Sequence, residues 1–150
     1  MRKYISLILL SIVCIMTGCD SNSEYIRDTS KGRIVEISLQ EWEEKMENND
    51  SFLVVFSQLY CNSCNEMHAM LDNYLPNHNI TIYEIILDYE TGTQIENQER
   101  INIYIDNFNQ TPGVYYINNG KKEDQLLPQD TVQEEIFDEF IKKHQIDKKD

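Results

Sequence analysis

Apolar and polar positions along this chain switch between a period of two and a period near 3.6, and the switches mark out its elements. Arg33-Ile-Val-Glu-Ile37 reads as a short strand. Ser38 then opens a helix: Glu41 stands three residues on as the partner of a capping box, and Leu39, Trp42 and Met46 form one stripe. Phe52 to Phe56 is apolar without a break, the pattern of a central strand buried on both faces. Beyond Cys61, residues Met67, Met70, Leu71, Tyr74 and Leu75 fall at i, i+3, i+4, i+7 and i+8, a helical stripe that Pro76 stops. Ile80 to Leu87 is the next strand. Thr93 and Glu96 repeat the capping box ahead of a helix whose stripe is Ile101, Tyr104, Ile105 and Phe108. Val114 to Ile117, the turn Asn118-Asn-Gly120 and a more polar strand to Leu127 read as a hairpin. Thr131 with Glu134 is the third capping box, on a last helix carrying Val132, Ile136, Phe137, Phe140 and Ile141, and its Lys142, Lys143 and His144 suit the negative helix end. The predicted order is β-α-β-α-β-α-β-β-α, an α/β domain over residues 33–146 with a polar tail at 147–150.

The chain begins differently. Met1-Arg2-Lys3 is a short basic stretch, and Tyr4 to Met16 is a nearly uninterrupted apolar run. Thirteen residues fall short of the ~20 that span a bilayer, so a leader peptide is the expectation. Met16-Thr-Gly-Cys19 closes it with a small residue immediately before a cysteine. That ending resembles the lipobox of bacterial lipoproteins, in which the cysteine becomes the lipidated first residue; Met16 departs from the usual Leu. The resemblance implies that residues 1–18 are a removed signal peptide, that Cys19 is lipidated, and that the protein is extracytoplasmic and held to the bacterial cell membrane. Residues 19–32 are polar without periodicity and read as a flexible tether.

Charge narrows the classes of partner. The chain carries 13 Lys+Arg against 26 Asp+Glu. Loss of the leader removes two basic residues and no acidic one, leaving −15. So acidic a surface excludes nucleic acid as a partner and repels anionic lipid, and membrane association would have to come from the covalent anchor.

Four cysteines remain to be placed. Cys14 leaves with the leader and Cys19 carries lipid, which leaves Cys61 and Cys64 as the only thiols, with no other cysteines to make a structural framework. Cys61 falls at the first turn of a helix, where unpaired backbone N–H groups and the helix dipole favour an anion. A thiolate there is stabilised and becomes a nucleophile near neutral pH. Cys64 lies one turn later on the same face and can close a short disulfide or resolve a mixed one. Dithiol–disulfide exchange is the chemistry this spacing favours. A zinc half-site is the competing reading, with His68 and His78 as further ligands, but no second C-x-x-C or His pair completes four. A purely structural disulfide is the other.

Three local patterns together resemble thioredoxin across roughly residues 33 to 146. Phe52-Leu-Val-Val-Phe56 through Cys64 is similar to the family's active-site strand and motif, and Leu87-Asp88 ends the next strand as the family often does. Thr111-Pro112-Gly-Val-Tyr-Tyr-Ile117, followed by Asn-Asn-Gly120-Lys121, is similar to its cis-proline strand and hairpin. The resemblance implies a central mixed sheet flanked by helices, a catalytic pair in Cys61 and Cys64, and a substrate-binding face made by Thr111 and Pro112 with Tyr60, which stands where Trp is usual. No metal or organic cofactor is required. The implied substrate is an exported cysteine-containing protein or peptide, with an integral membrane redox partner recycling the pair. The alternative is a non-enzymatic binding lipoprotein, such as a bacteriocin accessory factor, whose cysteines only lock the domain.

One departure from the family changes the expected chemistry. Val55 occupies the position of the family's buried Asp, so Cys64 is expected to lack a proton acceptor. Glu66 could substitute, although a solvated helix face is the simpler reading of it. With Asn62-Ser63 in place of Gly-Pro, this points to a potential less reducing than thioredoxin's ~−270 mV.

Overall fold

The computed structural model describes residues 25–149. The predicted order of elements is the observed one: β1 (Arg33–Glu36), α1 (Leu39–Glu47), β2 (Phe52–Ser57), α2 (Asn62–Tyr74), β3 (Thr81–Ile86), α3 (Gln94–Asn102), β4 (Gly113–Asn118), β5 (Lys121–Leu126) and α4 (Glu134–Lys143). The sheet runs β1-β3-β2-β4-β5. β1 and β2 lie parallel to β3, whereas β4 is antiparallel to both β2 and β5, so the sheet is mixed.

β2 is central because its side chains can be buried on either face. Leu53 and Val55 pack with Met67, Leu71, Tyr74, Phe137 and Ile141 of α2 and α4. Phe52, Val54 and Phe56 face the other way, onto Leu39, Trp42 and Met46 of α1 and Ile101 of α3. All six β2 residues are buried. Period-two alternation thus splits one apolar run between two cores.

Local signals explain most of the boundaries. In both Ser38/Glu41 and Thr93/Glu96 the hydroxyl caps the third helical N–H while the glutamate returns to the cap's own N–H. The hairpin turns at Asn119 and Gly120, both with positive φ. Only glycine serves at Gly120, since a Cβ there would collide with the carbonyl of Met46.

Three expectations are corrected. Thr131 does not cap α4: the N-cap is Gln133, without a side-chain bond, and the buried Thr131 hydroxyl donates to the carbonyl of Pro128 at 2.7 Å. A closer acceptor won the hydroxyl. α3 stops at Asn102, so Tyr104, Ile105 and Phe108 reach their core from the turns that follow the helix.

The third correction concerns the chain ends. Residues 25–32 and 147–149, expected to be part of a tether and a tail, are bound to the domain and to each other. Arg27 and Lys148 form an antiparallel bridge, and Asp28 N–H donates to the carbonyl of Asp147 at 2.7 Å. Arg27 reaches Asp147 and Asp138, each at 2.6 Å, and donates to the Tyr74 hydroxyl at 2.8 Å. Tyr25 donates to Asp147, whose side chain is fully buried. Residues that look solvated one at a time become buried once they find partners across the chain. The leader, Cys14 and Cys19 lie outside the described residues.

Candidate active site

After β2 the chain turns through Gln58-Leu59-Tyr60 and enters α2. The Leu59 N–H donates to a carboxylate oxygen of Asp88 at 2.9 Å, which ties this turn to the end of β3. Cys61 is the N-cap of α2 and is half-buried, with its Sγ accepting the Cys64 N–H at 3.1 Å. Cys64 is 1 % exposed. The two are joined in a disulfide with their Cα atoms 5.2 Å apart. One cysteine of the bridge is therefore partly exposed and the other is sheltered. On reduction, the Cys64 N–H and the helix end would both favour a thiolate on Cys61.

The other predicted residues converge unequally. The Thr111–Pro112 bond is cis, and Pro112 is buried. The Thr111 hydroxyl lies 3.7 Å from Cys61 Sγ and 2.9 Å from the Gln58 side-chain oxygen. Tyr60 is 97 % exposed and stands clear of the domain next to Cys61. His68 and His78, weighed as zinc ligands, turn elsewhere. His68 meets Glu84, whereas His78 stacks on Tyr74 with ring centroids 3.7 Å apart. Among the described residues no group of three or more His, Cys, Asp or Glu is placed to hold a metal. Glu66 is exposed, in line with the solvated reading.

The residue the sequence reading missed is Glu84. It sits on β3 directly beside Val55 and is 6 % exposed, on the sheet face covered by α2. Ser57 donates to its Oε1 at 2.6 Å, and His68 Nε2 lies 2.7 Å from the same oxygen. His68 is one helical turn beyond Cys64, on the same side of α2. The premise of a site without a buried carboxylate therefore falls, and with it the main argument for a less reducing potential. The carboxylate comes from the neighbouring strand, and a half-exposed imidazole connects it to solvent. The signal was readable: Glu84 has the same parity as core-facing Ile82, a charge where the pattern calls for an apolar side chain.

The sequence matches no protein-family model and no curated protein. Similarity is found among solved structures. Thioredoxin Mala s 13 of Malassezia sympodialis superposes with a TM-score of 0.56 at 14 % identity, over 77 % of this chain and 94 % of that one. Reduced Schistosoma mansoni thioredoxin pre-protein gives 0.55 at 16 %, over 75 % and 98 %. A mutant thioredoxin from Halobacterium salinarum gives 0.56 at 15 %, over 77 % and 94 %. The fold is that of thioredoxin. Identities this low carry the fold alone, so what this chain does with a thioredoxin fold has to be argued from its own disulfide, its cis-proline loop and Glu84.

Proposed function

We propose that this protein is a thiol–disulfide oxidoreductase acting on cysteines of exported proteins or peptides. One observation carries the reading: Cys61 is a partly exposed residue at a helix N-terminus, bridged to a buried Cys64 and faced by the Thr111–Pro112 loop. In the oxidising direction a substrate thiolate attacks Cys61 Sγ, the Cys61–Cys64 bond breaks, and the electron pair stays on Cys64, which takes up a proton. A second substrate thiolate then attacks the substrate sulfur of the mixed disulfide and expels Cys61 as a thiolate. Two electrons pass to the protein and the substrate leaves with a disulfide. Run backwards, the Cys61 thiolate attacks a substrate disulfide and Cys64 must lose its proton to resolve the intermediate. The Glu84–His68 pair is the group that exchanges that proton with solvent. Thr111 and Pro112, with Tyr60, would present the surface on which the substrate cysteine docks.

The same reading places the protein outside the cytoplasm, held to the membrane by lipid on Cys19. The support is the apolar leader ending in Gly18-Cys19 and the acidic charge, which leaves no electrostatic route to anionic lipid. An integral membrane protein would recycle the disulfide. Substituting Cys19 by Ala should release the protein or leave it unprocessed; unchanged membrane retention and mass would refute the anchor.

The test of function is Cys64→Ser. An oxidoreductase with its resolving thiol removed should accumulate mixed disulfides through Cys61, each containing a protein or peptide identifiable by mass. A binding lipoprotein with a structural disulfide would accumulate none.

A further inference from the structure

Beside the disulfide lies a cavity of about 280 Å³ whose wall includes Gln58 and Thr111, the two side chains joined by a hydrogen bond next to Cys61. Its size, just below the ~300–1,000 Å³ of ligand pockets, suits one long side chain better than a cofactor. Its chemistry is one-sided. Asp88 and Glu90 both line it, each with one carboxylate oxygen taken by a backbone N–H, of Leu59 and Leu39 respectively. Among the described residues no basic side chain lines it. Asn97 also lines it, is 4 % exposed, and has a side-chain oxygen without any hydrogen-bond partner among them. A buried acceptor left unpaired is costly, and a donor brought into the cavity by a ligand would relieve that cost.

The cavity also abuts the start of α3, which alone would favour an anion. That positive end is already occupied, because Glu96 accepts the Thr93 N–H within the helix's own capping box. An anion would face two carboxylates, and an apolar side chain would leave three sets of acceptors unsatisfied. A long cationic side chain satisfies both charge and hydrogen bonding.

We propose that this cavity is a specificity subsite for a lysine or arginine lying close in sequence to the reactive cysteine of the substrate. The inference rests on the exchange reading for its biological meaning. Thr111 fixes the spacing: it lines the cavity and sits 3.7 Å from Cys61 Sγ, so the basic residue lies within about three positions of the substrate cysteine at ~3.3 Å per extended residue.

A competition at equilibrium tests it without requiring turnover. Cys64→Ser protein is equilibrated, in a glutathione redox buffer whose disulfide supplies the oxidising equivalents, with single-cysteine peptides that are identical except for Arg, Ala or Glu at one of the three positions on either side of the cysteine. The mixed disulfides on Cys61 are then counted by mass. At one of those positions, Arg over Ala should be enriched about tenfold and Glu depleted. Gln94→Lys, which places a cation at the exposed cavity wall, should bring Arg and Ala to parity. Should Cys64→Ser fold poorly, single-turnover rates of the oxidised wild-type protein with the same peptides give the same ranking. Equal capture of Arg, Ala and Glu at every position would overturn the subsite while leaving exchange intact. Preference for Arg without any turnover would instead uphold the subsite and count against the oxidoreductase.

Discussion

The two ends of α2 both carry buried polar groups, and they treat them in opposite ways. At the C-terminal end Tyr74 is locked between Arg27 and Asp138, and Asp138 is shared by Arg27, Tyr74 and Lys142. Burial alone would raise Asp138, but the bonds from Lys142, Tyr74 and Arg27 outweigh it and hold the carboxyl down at about 2. Burial, then the bond to Asp138, pushes the Tyr74 hydroxyl well above the usual phenol range. Both groups are fixed in one protonation state across neutral pH. At the N-terminal end the Glu84 carboxylate has only Ser57 and a half-exposed imidazole for partners among the described residues, and that imidazole stands one turn along α2 from Cys64. The difference teaches how charge is used: a saturated network clamps the chain ends, whereas a sparsely partnered pair open to water can pass a proton.

Breaking the clamp gives the largest expected effect. Arg27→Ala takes an ion-pair partner from the buried Asp147 and another from Asp138, and denaturant unfolding should show a loss of roughly 3 kcal/mol. The rate of disulfide exchange by the folded fraction should not change. A loss of exchange in proportion to stability would mean that the two ends are one unit.

Glu84→Gln attacks the other end. It keeps the shape and the hydrogen-bonding oxygen but cannot hold the proton, and the step that needs Cys64 as a thiolate should slow about 10²-fold. Stopped-flow kinetics across pH would detect it, because the wild-type pH dependence of that step should flatten in the variant. An unchanged pH profile would reduce Glu84 to a structural role.

The clamp also has a pH signature. Because the folded state lowers Asp138 from 3.8 to about 2, its contribution is fully present above pH ~4 and is lost as the pH falls towards 2. That amounts to roughly 2 kcal/mol, and Asp138→Asn should remove this part of the acid dependence. The smallest effect on stability belongs to Tyr60→Ala. With the side chain standing in solvent, unfolding should shift by no more than ~0.5 kcal/mol while capture of substrate weakens.

The same contrast explains what could be read in the sequence. Elements set by short-range signals were legible: the two capping boxes that formed, the unbroken β2 run, the Asn-Gly turn, and the cysteine pair at a helix start. Thr131 misled because a hydroxyl three residues before a glutamate fits a cap equally well whether it bonds forward or, as here, back to Pro128. The clamp was invisible because Arg27 and Asp147 are 120 residues apart and neither breaks a local pattern. Glu84 lay between these cases. Its parity on β3 marked it as inward-facing, but its partners Ser57 and His68 come from other elements and only the fold brings them together.

The central claim is that the folded domain, and not the cysteine pair alone, makes Cys61 reactive. The direct measurement compares two disulfides as oxidants of one dithiol peptide at neutral pH: the intact protein, and a linear peptide containing only Cys61-Asn-Ser-Cys64. Thiols are counted on both partners through a single turnover. The account predicts that the protein reacts at least about 10²-fold faster, that two thiols vanish from the substrate as two appear on Cys61 and Cys64, and that every trapped intermediate is linked through Cys61. Equal rates for protein and linear peptide, or intermediates linked through Cys64, would contradict it.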